Sequence, residues 1–339
     1  MTNQKSLENT YQRKLYSFFF KYVIYIALLV VFLFFSFYLP YFFSTSNIVN
    51  IFRSISVTGI LALGITFALT VNDIDLSVAA LAGFMSALSA GLMVFNNGPV
   101  WLSILVPIIV ACLFGAFISL LILFFKIDPL LASFTVLFIA QGAELTYSGG
   151  LTIYSKMLIP SLKGGFQLAE GIIPKSYLFI GQGFIFGIPM PFIILIVFLG
   201  IFHFFLNNTK YGRFLYAIGG NIEAARLAGI PTNRYKFFAH LVASCCAAVG
   251  GILLTSRLGS AQSLAASGIL LDSIAAAFIG QVIGGEKKPN ALGTIIGAIF
   301  MGVMVNGLTM MKVPYTMQDM FKGIILVLAL CSTRISFSK

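Results

Sequence analysis

From Ser54 to Phe125 only two side chains are charged, Asp73 and Asp75, and they stand two residues apart in TVNDIDLSVAALAG, Thr70 to Gly83. A carboxylate in hydrocarbon costs about 2.5 to 3.5 kcal/mol even on lenient insertion scales, so a chain that keeps two there must satisfy them locally or use them. The tract around them also sets the fold class. Charge-free runs cover Tyr22–Phe52, Ser54–Asn72, Leu76–Phe125, Ser176–Thr209 and Pro289–Met311, and roughly 20 apolar residues suffice to span a bilayer as a helix. The 339 residues are 59% hydrophobic and 9% charged, with a mean hydropathy of +1.00. One soluble core could not bury that much apolar surface. The expected class is all-α, a polytopic membrane protein.

Cutting at turn signals such as NNGP, Asn96 to Pro99, gives about ten helices: 22–39, 54–71, 76–95, 99–125, 130–148, 188–206, 237–256, 269–283, 291–311 and 315–333. A net charge of +11 would suit nucleic acid only on a basic face of a soluble domain, which this pattern does not offer. The positive-inside rule accounts for it better. With the N-terminus in the cytoplasm, the segments 1–21, 72–75, 126–129, 207–236, 284–290 and 334–339 hold 14 of the 21 Lys and Arg. Both termini are therefore expected inside, with 1–21 and 334–339 as tails around one transmembrane domain, 22–333. The first hydrophobic segment follows the tail and lacks a small-x-small cleavage site, so it reads as an anchor. Cys112, Cys245, Cys246 and Cys331 fall inside predicted helices without metal-ligand spacing and read as small apolar filler. His203 and His240, at helix ends, read as packing or interfacial residues.

Two connections exceed ordinary length. Residues 149–187, outside, carry Gly149, Gly150, Gly164 and Gly165 and are expected to form a short reentrant or surface element. Residues 207–236, inside, contain a helix-prone core from Asn221 to Leu227: Asn221 can cap it, Glu223 suits the first turn, Ala224 and Ala225 propagate it, and Gly229 with Pro231 stops it. There is also a faint internal repeat. SVAALAG at Ser77–Gly83 matches SIAAAFIG at Ser273–Gly280, each preceded within two residues by an aspartate, Asp75 or Asp272. Chance similarity between Ala-rich membrane helices is one explanation. Two related halves, with a pathway along interrupted helices near the midplane, is the other.

These residues resemble a known family. IDLSVAALAG is similar to the signature of the permease subunits of bacterial ribose-type ABC sugar importers. TKYGRFLYAIGGNIEAARLAGI (Thr209–Ile230), GILLDSIAAAFIG (Gly268–Gly280) and GTIIGAIFMGVMVNGLTMM (Gly293–Met311) are similar, in order, to its cytoplasmic loop, second conserved segment and penultimate helix. The resemblance covers roughly residues 45–330. It implies a multi-pass subunit of the bacterial inner membrane, working by alternating access with an ATP-binding subunit, an external solute-binding protein and a second permease copy. It also implies that Gly220, Asn221, Glu223, Ala224, Ala225, Arg226 and Gly229 form a coupling helix that docks on the ATP-binding subunit. No G-x-x-x-x-G-K-[ST] phosphate loop occurs, so the chain is expected to be no enzyme and to hold no cofactor, ATP and Mg belonging to the partner.

The sequence departs from the family at polar points. Asn72 and Asp73 replace paired glycines, Leu270 replaces a glutamate, Gln141 an arginine, and GQVIGGEKKPN (Gly280–Asn290) a glycine-rich turn. Candidate pathway residues are Asn72, Asp73, Asp75, Ser77, Asp272, Ser273, Gln281 and Asn306. Asp75 or Ser77 could instead cap the third helix, Asp272 could mark a second helix break, and Asn306 could bond between helices. Glu144, near the outer end of the fifth helix, reads as solvated. Gly59, Gly64, Gly83, Gly91, Gly293, Gly297, Gly302 and Gly307 supply small surfaces for close helix packing. Competing readings are a permease for another solute, such as an amino acid or an autoinducer, and an ion-coupled carrier with Asp73 and Glu144 as proton sites. A membrane enzyme lacks a paired catalytic constellation.

Overall fold

The computed structural model describes residues 25–160, 166–283 and 288–334. The 1–21 tail, Gly164, Gly165, residues 284–287 of the altered turn and residues 335–339 lie outside the described residues, as does the side chain of Cys331. Thirteen helices appear among the described residues. Ten match the expected segments: α1 (Tyr25–Tyr38), α2 (Thr45–Leu69), α3 (Ser77–Val94), α4 (Val100–Leu123), α5 (Pro129–Ser148), α7 (Met190–Asn208), α10 (Thr232–Leu258), α11 (Ser267–Val282), α12 (Ala291–Met310) and α13 (Tyr315–Arg334). Three more lie in the long connections: α6 (Lys175–Gln182), α8 (Lys210–Gly220) and α9 (Ile222–Leu227).

Seven of the ten, α2, α3, α4, α5, α7, α10 and α12, are long and apolar enough to cross a membrane. The other three fall short for visible reasons. The described part of α1 is brief, the 16 residues of α11 reach only about 24 Å at 1.5 Å per residue, and α13 opens with the polar Gln318, Asp319 and Lys322. The chain is thus an all-α, multi-pass membrane protein.

The core sits where α2, α3, α10, α11 and α12 meet, while α4, α5 and α7 turn Leu, Ile, Val and Phe side chains outward. That exposed apolar skin suits hydrocarbon, where helices with internally satisfied backbones are stable. Small residues let the central helices close up. A Cβ on Gly64 of α2 would stand 2.9 Å from Cβ of Cys246 and 3.1 Å from the carbonyl oxygen of Ala243, so α2 and α10 touch almost backbone to backbone. Hydroxyl pairs tie the same helices: Thr66 to Thr294 across α2 and α12, and Ser86 to Thr255 across α3 and α10, both at 2.6 Å. Cys112 of α4 and Cys245 of α10 bring their sulfurs to 3.2 Å.

The faint repeat has a counterpart in the packing. α10 lies on α3 and α4 as α2 lies on α11 and α12, and α3 packs on α5 as α11 packs on α13. SVAALAG opens α3, whereas SIAAAFIG lies inside α11. α3 starts at the end of the bundle that carries α8 and α9, and α11 starts at the far end, so the two copies run in opposite directions.

The connection 149–187 is more than a surface element. Ile153–Tyr154 pairs with Ser260–Ala261 of the α10–α11 connection, and Leu158–Pro160 pairs with Phe166–Leu168. α6 wedges into the bundle: Tyr177 is fully buried, 2.6 Å from the Ser89 hydroxyl, and donates to the Ile252 carbonyl at 3.3 Å.

Candidate functional site

The break between α2 and α3 is built by a helix stop followed by a turn. Asp73 donates its N–H to the Ala68 carbonyl and Asn72 to that of Leu69, at 3.2 and 3.0 Å, the paired bonds of a Schellman motif. The motif needs a left-handed residue, and Asn72 provides it at φ 62°. Asparagine is the usual substitute for glycine there, which gives a physical reason for Asn72 standing where the family has glycine. The side chain of Asn72 is exposed.

Both aspartates turn inward and are buried. Asp75 Oδ1 accepts the backbone N–H of Ser77 at 3.0 Å and its hydroxyl at 2.6 Å, so it satisfies one of the orphan donors at the start of α3. Its second oxygen lies 3.2 Å from His240 Nδ1. Asp73 Oδ2 lies 3.2 Å from Nε2 of the same ring, and Asp73 Oδ1 accepts from Lys236 Nζ at 2.7 Å. His240 therefore bridges the two carboxylates from the third turn of α10. With a proton on each ring nitrogen, two cations balance two anions and every facing donor is used. Neither nitrogen is left for a metal, and among the described residues no group of three or more His, Cys, Asp or Glu side chains is placed to hold one.

This corrects two expectations. His240 is a buried hub, not a helix-end packing residue, and Asp73 is closed off by a cation from the chain itself. Lys236 and His240 share a face as an i, i+4 pair because α10 begins at Thr232, five residues earlier than expected. Placing Lys236 in a loop hid the site.

The same break touches the connection 207–236. Gly219, near the end of α8, approaches so closely that a Cβ would collide with the Thr70 carbonyl oxygen. α9 follows at once. Asn221 caps it by accepting the Ala224 N–H at 3.0 Å, Glu223 and Arg226 pair at 3.3 Å, and Gly229 ends it at φ 77°. Gly220 closes α8 against open space. Ala225 does not belong to the exposed face: it is 4% accessible and packs into the chain's own core, whereas Leu227 is 89% accessible. A six-residue helix has two faces, and only the neighbouring α8 and α10 decide which is covered. Leu227 was the residue missed.

The remaining candidates do not converge on this point. Asp272 lies within α11, not at a break, and its Oδ1 is 3.2 Å from Lys322 Nζ of α13, which also donates to the Gly268 carbonyl. Ser273 donates to the Thr58 carbonyl of α2 at 3.4 Å. Asn306 exchanges amide bonds with Asn47 of α2 at 2.9 and 3.1 Å. Gln141 and Gln281 are half-buried. Glu144 is buried, not solvated: it accepts the Leu264 N–H at 2.7 Å and fills the notch left by Gly83. Leu264 holds φ 60°, so Glu144 pins a strained turn of the α10–α11 connection at the far end.

The family described as the permease component of branched-chain amino acid transport systems matches residues 47–330. The chain belongs to this permease family. Its relatives include the ribose import permease proteins of Haemophilus influenzae, 32% identical over 90% of each chain, and Bacillus subtilis, 33% identical over 87% of each. The xylose transport system permease protein of Escherichia coli is 29% identical over 84% of each chain. No solved structure matches. The ribose-type ABC permease resemblance of the motifs is thereby borne out, and the chain is a permease subunit, not a member of an enzyme family.

Proposed function

We propose that this permease carries a small sugar, of the pentose class named in its relatives, into the cytoplasm by alternating access driven by ATP hydrolysis on a separate subunit. The family description names amino acids, but the ribose and xylose permeases match over almost the whole chain. In this reading residues 22–333 are one permease domain with both tails in the cytoplasm of a bacterial inner membrane. The connection 207–236 faces the ATP-binding subunit, and 149–187 faces a solute-binding protein. A second permease copy completes the pathway, and ATP and Mg stay on the partner.

The observation that carries the coupling is the placement of α9. It is held at one side by α8, whose Gly219 rests on Thr70, and at the other by α10, whose Lys236 and His240 grip Asp73 and Asp75. In this reading a push on α9 reaches the α2–α3 break by two routes, the close packing of Gly219 on Thr70 and the contacts of Lys236 and His240 with Asp73 and Asp75. Leu227, flanked by Glu223 and Arg226, is the anchor for the motor subunit: an apolar side chain inside a charged rim is how docking hot spots are built. Leu227→Asp is expected to leave membrane insertion intact while abolishing both copurification of the ATP-binding subunit and solute uptake. Full uptake in that variant removes the assignment.

A second reading is an ion-coupled carrier with Asp73 and Glu144, both buried, as its proton sites. Uptake that collapses under a protonophore while ATP is held constant would select it.

A further inference from the structure

The chain enters α7 through a tight hairpin. Phe184 pairs with Pro189 and Ile185 with Ile188, and the two residues between them, Phe186 and Gly187, stand at φ 50° and 80°. Positive φ at both central positions is the pattern of a type I′ turn, which favours Asn-Gly. Glycine adopts it freely, but a phenylalanine there is a genuine outlier. Phe186 is also fully exposed, with Phe184 and Ile188 about half exposed, so no described residue covers the ring at the tip. The root, by contrast, is held firmly. The Met190 N–H donates to the Gly183 carbonyl at 2.9 Å. Arg53 of α2 donates to the Gln182 carbonyl and lies 5.1 Å from the centre of the Phe184 ring, and Phe192 of α7 meets Phe52 of α2 with ring centroids 4.6 Å apart. A strained backbone and an exposed ring in one residue, presented from a fixed root, point to a use for that ring.

Its level says what takes the ring up. The 19 residues of α7 reach about 28 Å at 1.5 Å per residue, close to the roughly 30 Å of hydrocarbon that a span must cross. α7 ends at Asn208 and leads into α8, so the hairpin before Met190 lies at the opposite end of the bundle, at headgroup level. Trp101 at the start of α4, and Tyr38, Tyr41 and Phe43 at the α1–α2 turn, are exposed at that same end, as aromatic residues are at bilayer interfaces. Further along α7 the exposed Ile196, Val197 and Ile201 continue the apolar surface toward the midplane. From Ser176 to Thr209 no side chain is charged, so the segment does not supply the polar rim of a protein interface. We propose that the hairpin Phe184–Pro189 is an interfacial anchor, with the Phe186 ring inserted among the lipids of the leaflet opposite α8 and α9. The face proposed for a solute-binding protein is then the rest of the 149–187 connection.

The test moves the tryptophan signal to the tip. Trp101 is the one tryptophan of the sequence, so W101F/F186W reports on position 186 alone. The full-length chain is reconstituted into phosphatidylcholine vesicles whose acyl chains carry bromine either near the headgroup or near the chain end. Quenching by iodide, present on both sides, is measured in unbrominated vesicles. Emission is expected to lose most of its intensity to the shallow bromines, less to the deep ones and little to iodide. I188W/W101F is a second reporter on the same hairpin, expected to show the same order, should the first variant fail to fold. Emission unaffected by bromine at either depth overturns the anchor: strong iodide quenching would then leave the ring in water, and quenching by neither would place it against protein. Greater loss to the deep bromines overturns the interfacial level.

Discussion

The ion pair between Lys236 and Asp73 can be weighed with a double-mutant cycle, Lys236→Met and Asp73→Asn. Asp73 is 2% accessible at the side chain and Lys236 14%, with 2.7 Å between them. Removing one partner of a buried pair typically costs about 3 to 5 kcal/mol, because it strands the other charge. For Lys236→Met the stranded group is the more deeply buried carboxylate, which keeps His240 as a neighbour, so the low end applies: about 3 kcal/mol, or about a hundredfold in the folding equilibrium. Asp73→Asn strands an ammonium that can turn toward water, and about 1 to 2 kcal/mol is the corresponding figure. Both changes together remove both charges, so the double variant should be no less stable than Lys236→Met alone. The cycle would then yield about 1 to 2 kcal/mol of interaction energy. Unfolding of the purified chain by increasing SDS fraction in mixed micelles measures each corner. Uptake measured alongside ATP hydrolysis should show more ATP spent per solute in Lys236→Met. Single effects that add to within about 0.5 kcal/mol would mean that the two side chains do not meet, and the link from α9 to the α2–α3 break would lose its central contact.

Further expectations concern the far end and the core. Glu144→Leu leaves the Leu264 N–H without an acceptor and should cost about 1 to 3 kcal/mol, while Glu144→Gln keeps an acceptor oxygen and should stay close to wild type in thermal unfolding; equal losses would show that charge matters and the accepted bond does not. Gly64→Ala pushes a methyl against Cys246 and Ala243 and should destabilise by about 1 to 3 kcal/mol, whereas Gly142→Ala, with nothing within 4 Å of the added carbon, should be neutral or slightly stabilising, as read by the same unfolding assay. Copper phenanthroline should join Cys112 to Cys245 and block both from maleimide, with Cys246 unaffected; maleimide labelling of both thiols after oxidation would place α4 away from α10.

The helices were legible because lipid imposes a coarse rule: long runs without charge, interrupted by turn residues, mark most segments to within a few positions, although α2 runs through Arg53 and starts nine residues, and α10 five residues, before the expected positions. The short helix from Asn221 to Leu227 was legible for a local reason, since its cap and stop signals lie within nine residues. What stayed hidden is of two kinds. Asp75 and His240 are 165 residues apart, and Asp73 and Lys236 163; nothing in either neighbourhood names the other. A buried carboxylate does announce that a partner must exist, and in this chain the supply of candidates is small: His203 and His240 are the two histidines among 339 residues. The second kind is the inward face of a short helix. Ala225 and Leu227 are both apolar, and the sequence around them reads the same whichever one is covered. Only the docking of α8 and α10 buries Ala225 and leaves Leu227 out.

That difference bears on how such a subunit can transmit force. Under the proposed coupling, a helix that buried its larger apolar residue would offer the ATP-binding subunit little, while one that buries the small residue presents the large one for docking. The cost of exposing Leu227 is offset at the other end of the same segment, where the ion pairs of Lys236 and His240 hold α10 to Asp73 and Asp75. Two carboxylates in a hydrophobic tract are tolerable because α10, the helix that follows α9, brings Lys236 and His240 to them. Moving that helix away would strand charge in a low-dielectric interior, which is why, under the proposed coupling, the α2–α3 break is expected to follow α10.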